Sequence, residues 1–167
     1  MKKTSIIIPT YNDETIIKKN ISILTRNLKI LKLDYELIII DDCSEDKTRE
    51  VLRNISKTSK KIKIIRNKIN SGKSFSIRKG LRKSKYNQVI LIDSDLPYFN
   101  VFNNVFKRLN EGFDFVFVNR RHKKSSITNT SLNFYQVSRY LIGNFISFFI
   151  KFFLNLNIHG GDTQSGL

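Results

Sequence analysis

The chain has 167 residues, 40% of them hydrophobic, which fits one domain with an apolar core of its own. A net charge of +16, from 30 Lys and Arg against 14 Asp and Glu, would suit a polyanion or an anionic membrane surface. The absence of alanine beside abundant Ile, Asn and Lys gives the lysine excess a second origin, codon bias in an AT-rich genome, and the single cysteine excludes an internal disulfide and a paired-thiol metal site.

Met1 to Thr4 runs straight into a strand with no signal-peptide core of its own, so export by that route is not expected. Ser5, Ile6, Ile7 and Ile8 form a short apolar run that Pro9 stops, turning a strand into a loop. Beyond it Ile16, Ile17, Ile21, Leu24 and Leu28 recur at helical spacing from Asp13 on, with Asp13 or Asn12 as N-cap. The second apolar run, 35–40, ends in paired carboxylates, Asp41 and Asp42. Cys43 follows as a small residue in a tight turn, and 44–48 (SEDKT) reads as a helix start, with acids in the first turn where the macrodipole favours them. That helix runs to about Ser56, and 61–65 is a third strand. In the loop 70–73 (NSGK), Gly72 lets the backbone approach a ligand, and the basic helix over 74–83 turns its N-terminus toward an anion.

The fourth apolar run, Val89 to Ile92, ends in Asp93, Ser94 and Asp95. Such a run reads as a central strand covered on both faces. Its carboxyl end points at a site, because open α/β sheets bind ligands there. Two carboxylates so close repel each other unless a cation lies between or beside them. Oxygen donors suit Mg2+ or Mn2+, which complete their shells from water and substrate phosphates. Alone, the pattern also occurs at helix caps and turns; the neighbouring motifs give it weight.

Pro97 breaks the chain, Val101, Phe102, Val105, Phe106 and Leu109 predict an amphipathic helix, and 113–118 predicts a fifth strand ending in Asn119, Arg120 and Arg121. Alternating strands and helices argue for an α/β fold of three layers, α/β/α, around a mainly parallel sheet with right-handed crossovers. Residues 122–130 read as an exposed loop. The helical pattern over 134–156 either covers the core or rests its apolar face on a membrane. Its longest apolar part, 144–156, holds Lys151 and is too short to span a bilayer.

IIIPTYND at 6–13, IIIDDCSEDKT at 38–48, NSGKSFSIRKG at 70–80, LIDSDL at 91–96 and DTQSG at 162–166 resemble, in order and over essentially the whole chain, the motifs of family 2 glycosyltransferases. The likeness is greatest to the dolichol-phosphate mannosyltransferase and polyprenyl-phosphate glucosyltransferase branch. The resemblance implies a nucleotide-diphospho-sugar transferase fold (GT-A, Rossmann-like) and inverting hexosyl transfer. It also implies Mg2+ or Mn2+, a GDP- or UDP-linked donor, and a lipid phosphate acceptor (dolichyl or undecaprenyl phosphate) reached from the cytoplasmic membrane face.

By position, the resemblance assigns nucleotide binding to Pro9, Tyr11, Asp13, Asp41 or Asp42, Lys73 and Asp93. Asp93 and Asp95 would hold the metal and, with Arg120, serve catalysis, while Arg120, Arg121, Ser138 and Arg139 would face the acceptor phosphate. A single transferase domain over 1–167 is implied, with a nucleotide-sugar half at 1–120 and an acceptor-side half at 121–167 that is incomplete, since the chain stops inside the last motif. Three departures stand out: Asp13 where Glu is common, Cys43 where Gly is common, and Pro97 where a polar residue could add a metal ligand.

Cleaving a sugar from a nucleoside diphosphate requires charge stabilisation on the leaving diphosphate, which a divalent ion supplies as a Lewis acid. A lipid monophosphate, with a second pKa of about 6, is already largely dianionic and needs no general base. A hydroxyl acceptor would need one, for which Asp162 is a candidate, although it also reads as part of a tail. Arg120, Arg121 and Arg139 suit bidentate phosphate binding, and read equally as a solvated basic segment. Two other readings compete: a basic nucleic-acid or anionic-surface binding protein, against which the strand-end carboxylates argue by repelling a polyanion, and an inactive transferase that keeps only nucleotide binding. The transferase reading expects no nucleic-acid partner, and it requires Asp42 and Asp95 to share one cleft.

Overall fold

The computed structural model of the chain describes residues 3–118. Four strands, β1 (Thr4–Thr10), β2 (Tyr35–Asp41), β3 (Ile62–Arg66) and β4 (Gln88–Leu91), form one sheet in the order β3-β2-β1-β4. All three pairings are parallel. Helices α1 (Ile17–Ile30), α2 (Thr48–Ser56) and α3 (Lys73–Lys83) connect consecutive strands, and after β4 a single 3-10 turn, Phe99–Val101, leads into α4 (Phe102–Asn110).

The strand order decides the layers. From β1 to β2 to β3 the chain steps one way across the sheet, and from β3 to β4 it returns past both. Right-handed crossovers therefore put α1 and α2 on one face and α3 on the other. Register agrees: Ile7 pairs with Ile38 and Leu91, so these side chains share a face with Ile40, Ile65 and Val89, and it is Ile7 that meets Gly80 of α3. On that same face Ser5 Oγ donates to Glu36 Oε1, and the backbone N–H groups of Lys85 and Tyr86 donate to Glu36 and Ser5, which fastens the chain between α3 and β4. On the opposite side α1 buries Ile17, Ile21, Leu24 and Leu28 and packs on α2, which packs on β3.

The strands covered on both faces are β1 and β2, whose Ile6, Ile7, Ile8 and the run Leu37 to Ile40 are fully buried. The run 89–95 takes an edge position among the described strands, not the central one that its composition suggests. Among the described residues β4 lies at the edge of the sheet, stops at Leu91, and leaves Leu91 51% exposed. An apolar run of this length does not by itself tell a central strand from an edge strand. Residues 113–118, expected as a fifth strand, pair with no strand among the described residues, and Phe113, Phe115 and Phe117 are exposed. The helix expected from Asp13 begins at Ile17, and neither Asn12 nor Asp13 caps it through a side chain; the Asp13 carbonyl accepts from Ile16 and Ile17 instead.

Two compact units divide the chain at Met1–Asn103 and Asn104–Leu167, inside α4. In the second unit Arg108 pairs with Glu111 and lies over the Phe113 ring. No helix among the described residues is long and apolar enough to cross a membrane.

Gly80 is where α3 approaches the sheet most tightly: a Cβ there would lie 2.5 Å from Ile7 Cγ2, in the middle of β1. Overpacking of this kind costs roughly 1–3 kcal/mol, against a helix-propensity gain of about 1 kcal/mol. Gly80→Ala is therefore expected to lower stability by about 1 kcal/mol, read as a lower urea midpoint at unchanged slope. An unchanged or higher midpoint would show that α3 can lift from β1 without loss.

Candidate functional site

The reversal of strand order between β1 and β4 creates a topological switch point, and ligands of open α/β sheets bind in the crevice outside the strand carboxyl ends there. A cavity of about 490 Å³ occupies that place, within the ~300–1,000 Å³ range of small-molecule sites. The end of β1 supplies Pro9 and Thr10 and the loop after it Tyr11, Asp13 and then Ile16; Asp42 follows the end of β2; α3 supplies Lys73 and Ser76; the loop after β4 supplies Asp93, Ser94 and Asp95.

Hydrogen bonds between the loops after β1 and β2 fix the first wall. Asn12 sits in the left-handed region, with φ 53°; its N–H donates to Ser44 Oγ at 3.0 Å and its Oδ1 accepts from Glu45 N at 2.9 Å. Asp13 N donates to Thr48 Oγ1, Glu14 N to Asp46 Oδ2, and Lys47 N back to Glu14 Oε2. Inside the first loop the Asp13 carboxylate accepts from Thr10 Oγ1 and Tyr11 N. Tyr11, 42% exposed, stands at this wall.

The two carboxylates that end β2 diverge because neighbouring strand residues face opposite sides. Asp41, 1% exposed, is ion-paired with Arg66, its register partner on β3, accepts from Ser44 N, and does not line the cavity. Of the two, Asp42 is the one that lines the cavity. Cys43, between them and Ser44, has φ 62°, which is why glycine suits this position, and its Sγ accepts weakly from Arg66.

Asp42 is the anion that the N-terminus of α3 faces: its oxygens accept from Ser71 N, Gly72 N and Asn67 Nδ2 at 3.0, 2.7 and 2.6 Å. Gly72 has φ 83° and ψ 162°, a conformation open essentially to glycine alone, and this aims its N–H at Asp42. Burial alone would push the Asp42 pKa up, but hydrogen bonds from Asn67, Ser71, Gly72 and Ser76 outweigh it, and the carboxyl lies below its ordinary 3.8. A folded pKa below the unfolded one means stability that is complete above about 3.8 and is lost as pH falls through the lower folded value. Asp46 shifts the same way, burial being outweighed by hydrogen bonds from Thr48 and Glu14. The stability difference between the native chain and Asp42→Asn is expected to shrink between pH 6 and pH 2.5 in urea titrations; parallel curves would remove Asp42 from the acid response.

On the opposite wall a turn closed by Leu96 N to Asp93 O, at 3.1 Å, carries Asp93, Ser94 and Asp95, with Leu96 at φ 51°. Lys73 Nζ reaches across the cavity to Asp93 Oδ1 at 2.8 Å, both side chains being more than 40% exposed. Such a pair is worth ~0–1 kcal/mol in water, so an incoming cation or phosphate displaces it at low cost. Among the described residues no three His, Cys, Asp or Glu side chains converge. Asp93 and Asp95 still fit a Mg2+ or Mn2+ ion, which takes one or two carboxylates and fills its shell from water and substrate phosphates.

Asp42 and Asp95 thus share one cleft, as do Pro9, Tyr11, Asp13, Lys73 and Asp93. Arg120, Arg121, Ser138, Arg139, Asp162, the loop 122–130 and the pattern 134–156 lie outside the described residues. Thr10, Ile16, Ser76 and Ser94 line the cavity without having been singled out from sequence. Ser76 was within reach of sequence reasoning, since it lies one turn beyond Lys73 on the same face of a helix.

The sequence model of the family described as Glycosyl transferase family 2 matches residues 5–163. The chain belongs to that family. Among its relatives are an uncharacterized glycosyltransferase of Synechocystis sp., 33% identical over 72% of this chain and 38% of its own length, and the putative glycosyltransferase CsbB of Bacillus subtilis, 32% identical over 77% and 40%. A third is the undecaprenyl-phosphate 4-deoxy-4-formamido-L-arabinose transferase of Aeromonas hydrophila, 31% identical over 75% of this chain and 39% of its own length. This family 2 chain spans about two fifths of the length of these relatives. The mannosyltransferase PcManGT of Pyrobaculum calidifontis, solved with GDP-Man and Mn2+, superposes with a TM-score of 0.53 at 23% identity over 65% of this chain and 32% of its own, a likeness of fold. The α/β fold with its parallel sheet is therefore that of the GT-A glycosyltransferases.

Proposed function

We propose that this family 2 chain carries the donor site of an inverting hexosyltransferase. It would take a UDP- or GDP-linked sugar and pass it to a polyprenyl phosphate, dolichyl or undecaprenyl, at the cytoplasmic face of a membrane. The observation that carries the reading is the cavity at the switch point, with a lysine on one wall and two carboxylates on a turn opposite.

In this reading Tyr11 and Pro9 take the nucleobase and ribose together with Asp13 and Asp42, and the hydrogen-bonded loops after β1 and β2 hold them in place without further ordering. Asp93 and Asp95 would hold Mg2+ or Mn2+, whose charge would stabilise the departing diphosphate. Lys73 exchanges Asp93 for a phosphate oxygen, moving its charge toward the leaving group. Arg120, with Arg121, Ser138 and Arg139, orients the acceptor phosphate, whose own dianion is the nucleophile.

Calorimetry with UDP, GDP and their sugars, in Mn2+ and in EDTA, tests the donor reading. Metal-dependent binding of one nucleotide is expected. Binding of single-stranded nucleic acid with no nucleotide binding would replace it with the polyanion-binding alternative. Arg120→Ala is expected to keep nucleotide affinity within about two-fold while lowering transfer at least ~10-fold; weakened nucleotide binding would move Arg120 to the donor side.

A further inference from the structure

Side-chain contacts from α3 and from α1 reach the turn at residues 93–96. That from α3 is the exposed Lys73–Asp93 pair, which the proposed substrate would draw apart. From α1, Asn20 Nδ2 donates to the Ser94 carbonyl at 2.9 Å. That carbonyl belongs to the residue between the two carboxylates. Fixing its peptide plane, which joins Ser94 to Asp95, limits the direction in which the Asp95 side chain leaves the backbone relative to the Asp93 that precedes Ser94, because φ and ψ are the only soft backbone torsions.

We infer that Asn20 is a positioning residue for the divalent ion, acting through the Ser94 carbonyl to hold Asp93 and Asp95 at one spacing; the inference rests on the donor-site reading above. The surroundings of the turn explain why such a tether is needed. β4 ends at Leu91 at the sheet edge, and Ile92 N to Ile7 O, at 3.1 Å, carries the pairing with β1 one residue further. After that the chain turns with Leu96 in the left-handed region, where a side chain is strained. The other end of the tether is firm. Asn20 lies beside Ile21, one of four residues that α1 buries in the core. α1 also begins directly after the loop that carries Tyr11 and Asp13, so one helix references both walls of the cavity. Outer partners that orient metal ligands matter by ~10–100-fold in metal affinity when removed.

The test uses two replacements. Asn20→Leu keeps approximate shape and removes the donor; Asn20→His keeps a ring N–H at a similar reach. Mn2+ is titrated into each protein with UDP or GDP present and followed by electron paramagnetic resonance, while nucleotide affinity in EDTA and melting temperature are measured beside it. About a ten-fold weaker Mn2+ affinity in Asn20→Leu is expected, with metal-free nucleotide affinity within two-fold and with Asn20→His near the native value. If Asn20→Leu does not fold, Asn20→Ser takes its place. Unchanged Mn2+ affinity in the donor-less variant, equal loss of metal-free and metal-dependent binding, or equal loss in Asn20→His overturns the inference and leaves the donor site standing. Absence of Mn2+-dependent nucleotide binding in the native chain removes the donor reading itself, and the inference with it.

Discussion

Asp95→Ala is expected to reduce nucleotide affinity in Mn2+ to the value found in EDTA, a loss of at least ~100-fold in metal affinity. The described part of the site offers two carboxylates to a cation, Asp93 and Asp95, and no third acidic or imidazole group converges on them. Losing an outer partner of a ligand already costs ~10–100-fold, so losing one of two direct oxygen donors costs more. The remaining carboxylate, Asp93, keeps Lys73 at 2.8 Å, and a resident ammonium then competes more successfully for it. Stability provides the control. Asp95 is exposed, so the substitution is expected to change folding stability by no more than about 0.5 kcal/mol. Calorimetry of native and variant chains with UDP and GDP, each in Mn2+ and in EDTA, reads the result. Equal metal-dependent affinity in the two proteins would remove the carboxylate pair from the cation site.

Arg66→Leu is expected to destabilise the fold by about 3 kcal/mol. Asp41 is 1% exposed at the end of β2, and its charge is met by the Arg66 guanidinium and by Ser44 N. Removing one partner of a buried pair leaves an uncompensated charge, at a cost of ~3–5 kcal/mol; the low end applies because the Arg66 side chain is itself 31% exposed. The same guanidinium donates to the Ser44 carbonyl at 3.0 Å, so it also closes the turn that holds Cys43 at positive φ. Lysine would not replace it, since a single ammonium cannot reach carboxylate and carbonyl in the planar fork. The double variant Asp41→Asn with Arg66→Leu is expected to recover ~1–3 kcal/mol relative to the sum of the single losses, because a neutral amide no longer needs a counter-ion. Urea unfolding of the four proteins measures this; additive losses would show that the two side chains do not interact.

Much of the fold was legible from composition and spacing. Isoleucine runs followed by Asp41 and Asp42 and by Asp93 announced strand ends with chemistry at their tips, and Gly72 announced a close backbone approach; Pro9, expected to stop the first strand, instead stays in β1, which pairs with β2 through Thr10. The motifs were a stronger guide than any single pattern, because they report the order of loops that a parallel sheet brings to one edge. Periodicity misled at the sheet edge and beyond it. Among the described residues the 89–92 run, as apolar as β1, makes only a short strand at the sheet margin, and 113–118 alternates like a strand without pairing as one. Strand propensity is satisfied only where a neighbour offers its ladder and its covering layer.

The sequence by itself determined that apolar strands alternate with amphipathic helices and that acidic groups terminate two of those strands, since both follow from local spacing. Tertiary structure alone decided which of those acids meet. Returning β4 to the far side of β1 opens the cleft between Pro9 and Asp95, and the alternation of side chains along β2 sends Asp42 into it and Asp41 away toward Arg66. The physical reason is that crossover direction and strand order arise from packing whole layers, so a contact such as Asn20 to Ser94, 74 residues apart, leaves no trace in local sequence.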